Sequence, residues 1–315
     1  MEIADKWKDY EIIDMANGEK LERWKNVSLI RPDPQIIWKE KTYPEKWKKA
    51  DARYERSSSG GGAWNYKKNL PKSWQVQYKN LTFNIKPMGF KHTGLFPEQA
   101  VNWDWMIGKI KNANRPIKVL NLFAYTGGAT VACLSAGAEV CHVDSSKGMT
   151  EWAKENVISS GLQDKKVRFL IDDVVKFVNR EIRRGNKYDA IIMDPPSYGR
   201  GKNGEVWSFE NNIADLISLC MEVLSDRPLF FLINSYTTGT SSQVLENLLR
   251  LNFNKKYKNY ETKNRNNTEQ NNTKKFNSKV KLKGVFSHGE IGLPMKDSNI
   301  ILPCGIYGRW EEVQQ

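Results

Sequence analysis

Cysteines are few, long apolar runs are missing, and no phosphate-loop pattern occurs in these 315 residues. The four cysteines (Cys133, Cys141, Cys220, Cys304) have neither zinc-ligand spacing nor the look of a disulfide framework. That usage suits a reducing compartment. No apolar stretch approaches the roughly 18 residues of a membrane helix. The opening "MEIADKWKDYEIIDM" is charged throughout, unlike a signal peptide. A soluble cytoplasmic protein is expected. Hydrophobic residues make up 39% of the chain, enough for a core, and the length accommodates one large domain plus a small one.

The net charge of +13 raises the question of nucleic acid, but its distribution tempers the answer. Residues 254–283, "NKKYKNYETKNRNNTEQNNTKKFNSKVKLK", carry a net of +8, residues 1–80 a net of +5, and the rest is neutral. More than half the excess therefore sits in an Asn/Lys-rich stretch, which reads as an irregular insertion over 254–278. Such a loop can still touch phosphates.

Residues 1–85 hold six of the eleven tryptophans (Trp7, Trp24, Trp38, Trp47, Trp64, Trp74), with short alternating runs such as "WQVQYKNLTFNIKP" between turn residues. A small β-rich domain is expected there. Its tryptophans could form a base-stacking face, but a small core filled by large aromatics is the better-supported reading.

The rhythm changes over 86–315. A helix opened by Pro97 precedes strands near 117–124, 138–144, 167–172, 188–194 and 228–236. Helices of 10–15 residues alternate with them, which means a doubly wound parallel sheet. A helix near 241–251 and two more strands, near 253–260 and 279–287, are expected to close the sheet as an antiparallel hairpin around the insertion.

Ligands of such sheets bind beyond the strand carboxyl ends. The first strand runs into "NLFAYTGGAT", where Gly127 and Gly128 let backbone approach a ligand at a helix start. The pattern G-x-G-x-x-G is absent, and Phe123 and Tyr125 stand where a pyrophosphate loop wants glycine. Asn121, Phe123, Tyr125, Thr126 and Gly127 thus read as packing around an apolar or zwitterionic ligand. The second strand ends at Asp144, 17 residues after Gly127, suited to accept both ribose hydroxyls, with Ser145 beside it. The third ends at Asp172-Asp173, one to accept from an adenine amino group and the other to cap a helix. A loop, a ribose acceptor and an adenine acceptor without a phosphate site describe S-adenosylmethionine.

The fourth strand poses its own question, because "KYDAIIMDPPSYGRG" (187–201) stops a core strand on Asp194-Pro195-Pro196. Neither proline can donate to a ladder.

These pieces resemble the class I S-adenosylmethionine-dependent methyltransferases. Within them the chain is most similar to the group containing the 23S ribosomal RNA large-subunit methyltransferases that make 5-methylcytosine and 7-methylguanine. The resemblance rests on "KHTGLFPEQ" (91–99), "NLFAYTGG" (121–128), "DSSKGMTEWAKEN" (144–156), "DDVVKF" (172–177) and "DPPSYGRG" (194–201), while "RPDPQIIW", "GEIGLPMK" and "LPCGIYGRW" mark a less characterised branch. It implies a seven-stranded Rossmann-like methyltransferase sheet and an RNA substrate, with small-molecule or protein methylation, or RNA binding without turnover, as alternatives. In this family the fourth strand end faces the transferred methyl. Asp194, Pro195 and Pro196 then orient the acceptor, with Tyr198 as stacking residue, although Ser197 occupies the usual aromatic position. Thr93 and Gln99 are implied as polar contacts of the cofactor, and His92 reads as a packing or hydrogen-bonding group, with an acid/base role as the alternative. The segment "GRGKNGEVW" reads as a flap carrying Arg200 and Lys202. Carbon-5 methylation of a pyrimidine needs a cysteine nucleophile. The stretch where relatives carry it, "LINSYTTGTSS" (232–242), has none, so nitrogen methylation is expected.

Overall fold

The computed structural model describes residues 1–57, 61–200, 206–270 and 284–313, with side chains left undescribed over 257–270. Lys202 and the end of the insertion, 271–278, lie outside the described residues. Seven strands form the frame: β1 (Lys118–Leu122), β2 (Glu139–Asp144), β3 (Val167–Ile171), β4 (Ala190–Met193), β5 (Phe230–Ser235), β6 (Gly284–Pro294) and β7 (Ile301–Glu312). Their order is β6-β7-β5-β4-β1-β2-β3, and the two-residue strand Glu2–Ile3 adds an eighth member beside β6. Neighbours among β1–β5 pair parallel, while β7 runs antiparallel to both β5 and β6. This is the expected methyltransferase sheet.

Strands β4 and β5 are buried at every position, as parallel strands covered on both faces must be. Alternate side chains of each strand enter different cores. Val119, Ile192 and Leu232 pack with α1 (Ala100–Asn112), α2 (Gly128–Ser135) and α3 (Lys147–Ser159). Leu120, Ile191 and Phe231 pack with α4 (Val174–Arg184), α5 (Phe209–Val223) and α6 (Ser242–Gln270).

The tail departs from expectation. No strand occupies 253–260, because α6 continues through it. Leu245, Leu249 and Phe253 recur every four residues and are buried, so one apolar stripe carries the helix past 251. Phe253 stacks on Trp310 at 4.4 Å, and the Lys256 ammonium donates to the Met221 and Leu224 carbonyls at 2.6 and 2.9 Å. The closing hairpin is β6–β7, turning at 295–300 rather than through the insertion.

The N-terminal region is a five-stranded sheet of Tyr10–Ala16, Glu19–Trp24, Val27–Pro32, Ala52–Arg56 and Gly62–Tyr66, followed by the hairpin Trp74–Tyr78/Leu81–Ile85. Its tryptophans serve as core. Trp24 and Trp47 are buried, and the indoles of Trp7, Trp38, Trp64 and Trp74 pack against the core while donating to backbone carbonyls. Tyr10, Val76 and Phe83 belong to the same apolar cluster as Trp103 of α1 and Val119 of β1, so one core runs through both parts. No helix among the described residues is long and apolar enough to cross a membrane.

Candidate active site at the carboxyl ends of the central strands

The chain leaves β1 toward β2 and β3 on one side and returns to β4 on the other, which makes β1/β4 the switch point where a crevice opens. Leu122 and Met193 are register partners there. The last bond between the two strands runs from the Asp194 N–H to the Leu122 carbonyl at 3.4 Å. Pro195 and Pro196 end the sheet at that point because they have no N–H to offer.

The loop after β1 is tightly wound. Phe123, Tyr125 and Gly127 all have positive φ (53°, 51° and 81°). At Gly127 a Cβ would lie 2.8 Å from the Ala153 Cβ, so glycine permits both the backbone turn and the close approach of α3. Asp144 holds the loop from the next strand. Its carboxylate accepts the Tyr125 N–H and the Ser146 N–H, each at 2.8 Å. Burial raises its pKa, and these two bonds oppose that. The Asp172 N–H donates to the Asp144 carbonyl at 3.0 Å, so the ends of β1, β2 and β3 are tied in a row.

The two aspartates after β3 differ in their partners, and one of them caps a helix as the sequence suggested. Asp173 caps α4 by accepting the Lys176 N–H at 2.8 Å, whereas Asp172 pairs with Arg180. Ser145 is exposed, and Ser146 is the residue that caps α3. Thr126 is buried; its hydroxyl donates to the Gly94 carbonyl at 2.5 Å, and its carbonyl accepts Asn156 Nδ2 at 2.8 Å. The Thr93 hydroxyl is buried without a partner. Asn121 donates to the Thr130 hydroxyl at 3.0 Å.

Gln99, Asn121, Phe123, Tyr125, Thr126 and Asp194 line one pocket of about 450 Å³, its open mouth included, together with Phe96, Trp103 and Asn234. Asp194 is the single charged side chain in that lining. Its carboxylate makes no hydrogen bond to any described residue, and burial, then the nearby Glu98 carboxyl, push its pKa up to about 7. Glu98 is itself raised by burial. Beside them the Tyr236 hydroxyl accepts Gln99 Nε2 at 2.7 Å and donates to Glu98. Gln99 Oε1 accepts from Asn102 and Asn234 at 2.8 and 3.2 Å.

The rest of the Pro-Pro segment faces outward. The Pro196 carbonyl accepts the Trp207 indole N–H at 2.7 Å, and Ser197 meets Thr237 at 2.9 Å. Tyr198 is 55% exposed, and its hydroxyl accepts Arg200 Nε at 3.0 Å. Tyr198–Arg200 pairs with Val206–Ser208, and Trp207 folds back to 5.1 Å from Phe123. Of the residues expected at the site, Thr93, Gly127, Asp144, Ser145, Asp172, Asp173, Pro195, Pro196 and Tyr198 are not among those that line the pocket. Phe96, Glu98, Asn234, Tyr236 and Trp207 were missed. Asn234 and Tyr236 had a signal, for they sit at the end of β5, next to β4.

The sequence of residues 49–244 matches the model of the family described as S-adenosylmethionine-dependent methyltransferase. The chain belongs to this family. The crystal structure of a methyltransferase of this kind from Agrobacterium tumefaciens is 33% identical, with 98% of this chain and 92% of that one covered at a TM-score of 0.85. Among curated proteins, ribosomal RNA large subunit methyltransferase K/L of Shewanella frigidimarina is 33% identical over 145 residues, covering 45% of this chain and 20% of the relative. Ribosomal RNA large subunit methyltransferase I of Erwinia tasmaniensis is 38% identical over 109 residues, covering 34% and 27%. The chain thus spans about a fifth to a quarter of these curated relatives.

The pocket fits the cofactor of this family. It has one carboxylate and no cation in its lining, the electrostatics a sulfonium needs and a pyrophosphate would oppose. Each Asp144 oxygen has accepted one N–H, leaving a lone pair on each.

Proposed function

We propose that this methyltransferase modifies RNA, with large-subunit ribosomal RNA as the leading substrate, in the cytoplasm, and that its target is a nitrogen or another atom needing no covalent adduct. The observation that carries this reading is the Asp194 carboxylate: without a hydrogen bond among the described residues, at the switch point, in a pocket whose lining has no cysteine. Cys133, Cys141 and Cys220 are fully buried, and burial drives the Cys304 thiol well above its usual pKa, the opposite of an activated nucleophile. The names of the curated relatives support RNA as substrate.

S-adenosylmethionine, when bound, supplies an electrophilic methyl group. In our reading Asp144 receives the ribose hydroxyls and Asp172 the adenine amino group. Phe123, Tyr125 and Gly127 shape the wall, and Thr93, Gln99, Asn121 and Thr126 supply polar contacts. Asp194 and the Pro195 carbonyl accept hydrogen bonds from the target nitrogen and fix its lone pair in line with the methyl. Asp194 would take up the proton released by the target nitrogen on transfer. Pro196 and Tyr198 form the outer lip.

Nucleoside mass spectrometry on ribosomal RNA from wild-type and deletion strains tests this. One methylated nucleoside should be missing from the deletion strain, restored by the wild-type gene and not by Asp194→Ala. An identical nucleoside inventory in all three would refute RNA as the substrate.

A further inference from the structure

The turn Met88–His92 bridges the pocket and the N-terminal sheet. Met88 Sδ receives the Tyr125 hydroxyl at 3.6 Å, and the His92 ring lies 5.4 Å from Phe96; Tyr125 and Phe96 both line the pocket. The Met88 N–H closes the turn on the His92 carbonyl at 3.2 Å. On its other side the Met88 carbonyl accepts the Trp64 indole N–H at 2.8 Å. Trp64 opposes Tyr54 in strand register, with their rings 5.5 Å apart. Side chains two residues apart share a face of a strand. Arg56 and Tyr66 therefore lie on the face that carries Trp64 and meets the turn.

This surface has two properties that a covered one would lack. Phe90, within the turn, is 63% exposed, and Tyr66 is 51% exposed with its ring stacked against Trp64 at 6.4 Å. Arg56 and Lys91 have no carboxylate partner among the described residues, and the Lys91 ammonium meets only the Pro32 carbonyl, at 3.5 Å. The neighbouring Arg31 and Lys20 are neutralised by Glu22 and Asp33, so the cations that remain are those on this face. Burial lowers the Lys91 pKa; the Asp33 carboxylate opposes this, and the positive charges of Lys20, Arg56 and Arg31 add to it. Exposed aromatic planes beside unneutralised cations match a single strand of nucleic acid, which offers a base to stack and a phosphate to pair at each step.

We propose that the Met88–His92 turn and the facing strands seat the nucleotides flanking the target in single-stranded RNA, with Phe90 and Tyr66 stacking on bases and Arg56 and Lys91 contacting phosphates. This rests on the RNA reading above. The test is fluorescence anisotropy of the full chain with a labelled, unstructured 12-nucleotide RNA across a salt series. Phe90→Ala should weaken binding about 5- to 100-fold. The Arg56→Ala/Lys91→Ala double variant should flatten the log–log salt slope by about 1.4, or about 0.7 per lost phosphate contact. All three side chains reach solvent, so both variants should keep the wild-type melting temperature and S-adenosylhomocysteine affinity. RNA binding by wild type that neither variant changes would overturn the seat and leave the RNA reading standing. A neutral Phe90→Ala with a flattened slope in the double variant would reduce the surface to a generic polyanion patch and also overturn it. Absence of RNA binding by wild type would bring down both.

Discussion

Asp194 should be costly to the fold and necessary to the reaction, and Asp194→Asn separates the two. Its carboxyl titrates near 7 in the folded chain against an ordinary value of 3.8. The folded state thus binds this proton more tightly than the unfolded state does, so its stabilising effect is complete below 3.8 and is lost as pH rises toward 7. The difference corresponds to about 4 kcal/mol at pH 8 and roughly half a kcal/mol at pH 4. Asparagine keeps the shape and cannot ionise. At pH 8 the variant should therefore be more stable by up to about 4 kcal/mol. For a chain of 315 residues this raises the melting temperature by roughly 6 °C, from about 2.1 cal/mol/K of unfolding entropy per residue.

Turnover should move the other way. Loss of the carboxylate should lower kcat by about 10²- to 10⁴-fold. In the wild-type enzyme kcat/KM should climb with pH to a plateau above about 7, where Asp194 is ionised. The shoulder in kcat should lie lower, since a bound cation favours the carboxylate. Paired denaturation curves at pH 4 and 8, with methyl-transfer assays on the same preparations, measure both halves. A variant no more stable than wild type at pH 8, or one fully active, would refute the reasoning.

Asp144→Ala should weaken S-adenosylhomocysteine binding by about 1.5–3 kcal/mol, the range for hydrogen bonds to a charged group; unchanged affinity in titration calorimetry would remove the ribose assignment. His142 is buried with Nε2 unpartnered, and burial lowers its pKa to about 3. It should cost about 2 kcal/mol of stability at pH 5, the loss beginning as pH falls below 6.5, and His142→Gln should flatten that acid limb in urea melts. Gly94 has a φ of 91°, and a Cβ there would enter the Trp152 ring; Gly94→Ala should destabilise by about 2–4 kcal/mol by calorimetry. Cys304→Ala should keep most activity, whereas a covalent complex with 5-fluorocytosine RNA, lost in that variant, would restore a carbon-5 mechanism.

The frame was legible because its signals are local. Strand β4 and the first four residues of β5 are unbroken apolar runs, and Pro97, Ser146, Asp173 and Gly185 mark helix ends by the backbone chemistry of those residue types. The failures are equally physical. Glu2–Ile3 is too short to carry a period, and its partner Ile291 is nearly the whole chain away. Past residue 251 the Asn/Lys composition masks a stripe of which Phe253 is the last buried member among the described side chains, so helix and loop could not be told apart by pattern.

The site divides along the same line. Asp144 and Asp194 could be placed at strand ends from the sequence pattern, while the role expected of Asp194 came from the family resemblance. Glu98 could not be singled out, because its effect on Asp194 depends on how the single turn Pro97–Gln99 ahead of α1 is placed, between segments 96 residues apart in sequence. That placement matters more than another lining residue would. Burial and the neighbouring Glu98 carboxyl let Asp194 keep its proton up to a pH of about 7, and a positive charge brought beside it favours release. On the proposed reading Asp194 orients the acceptor, and the fold supplies in Glu98 a neighbour that raises the pH at which this group becomes charged.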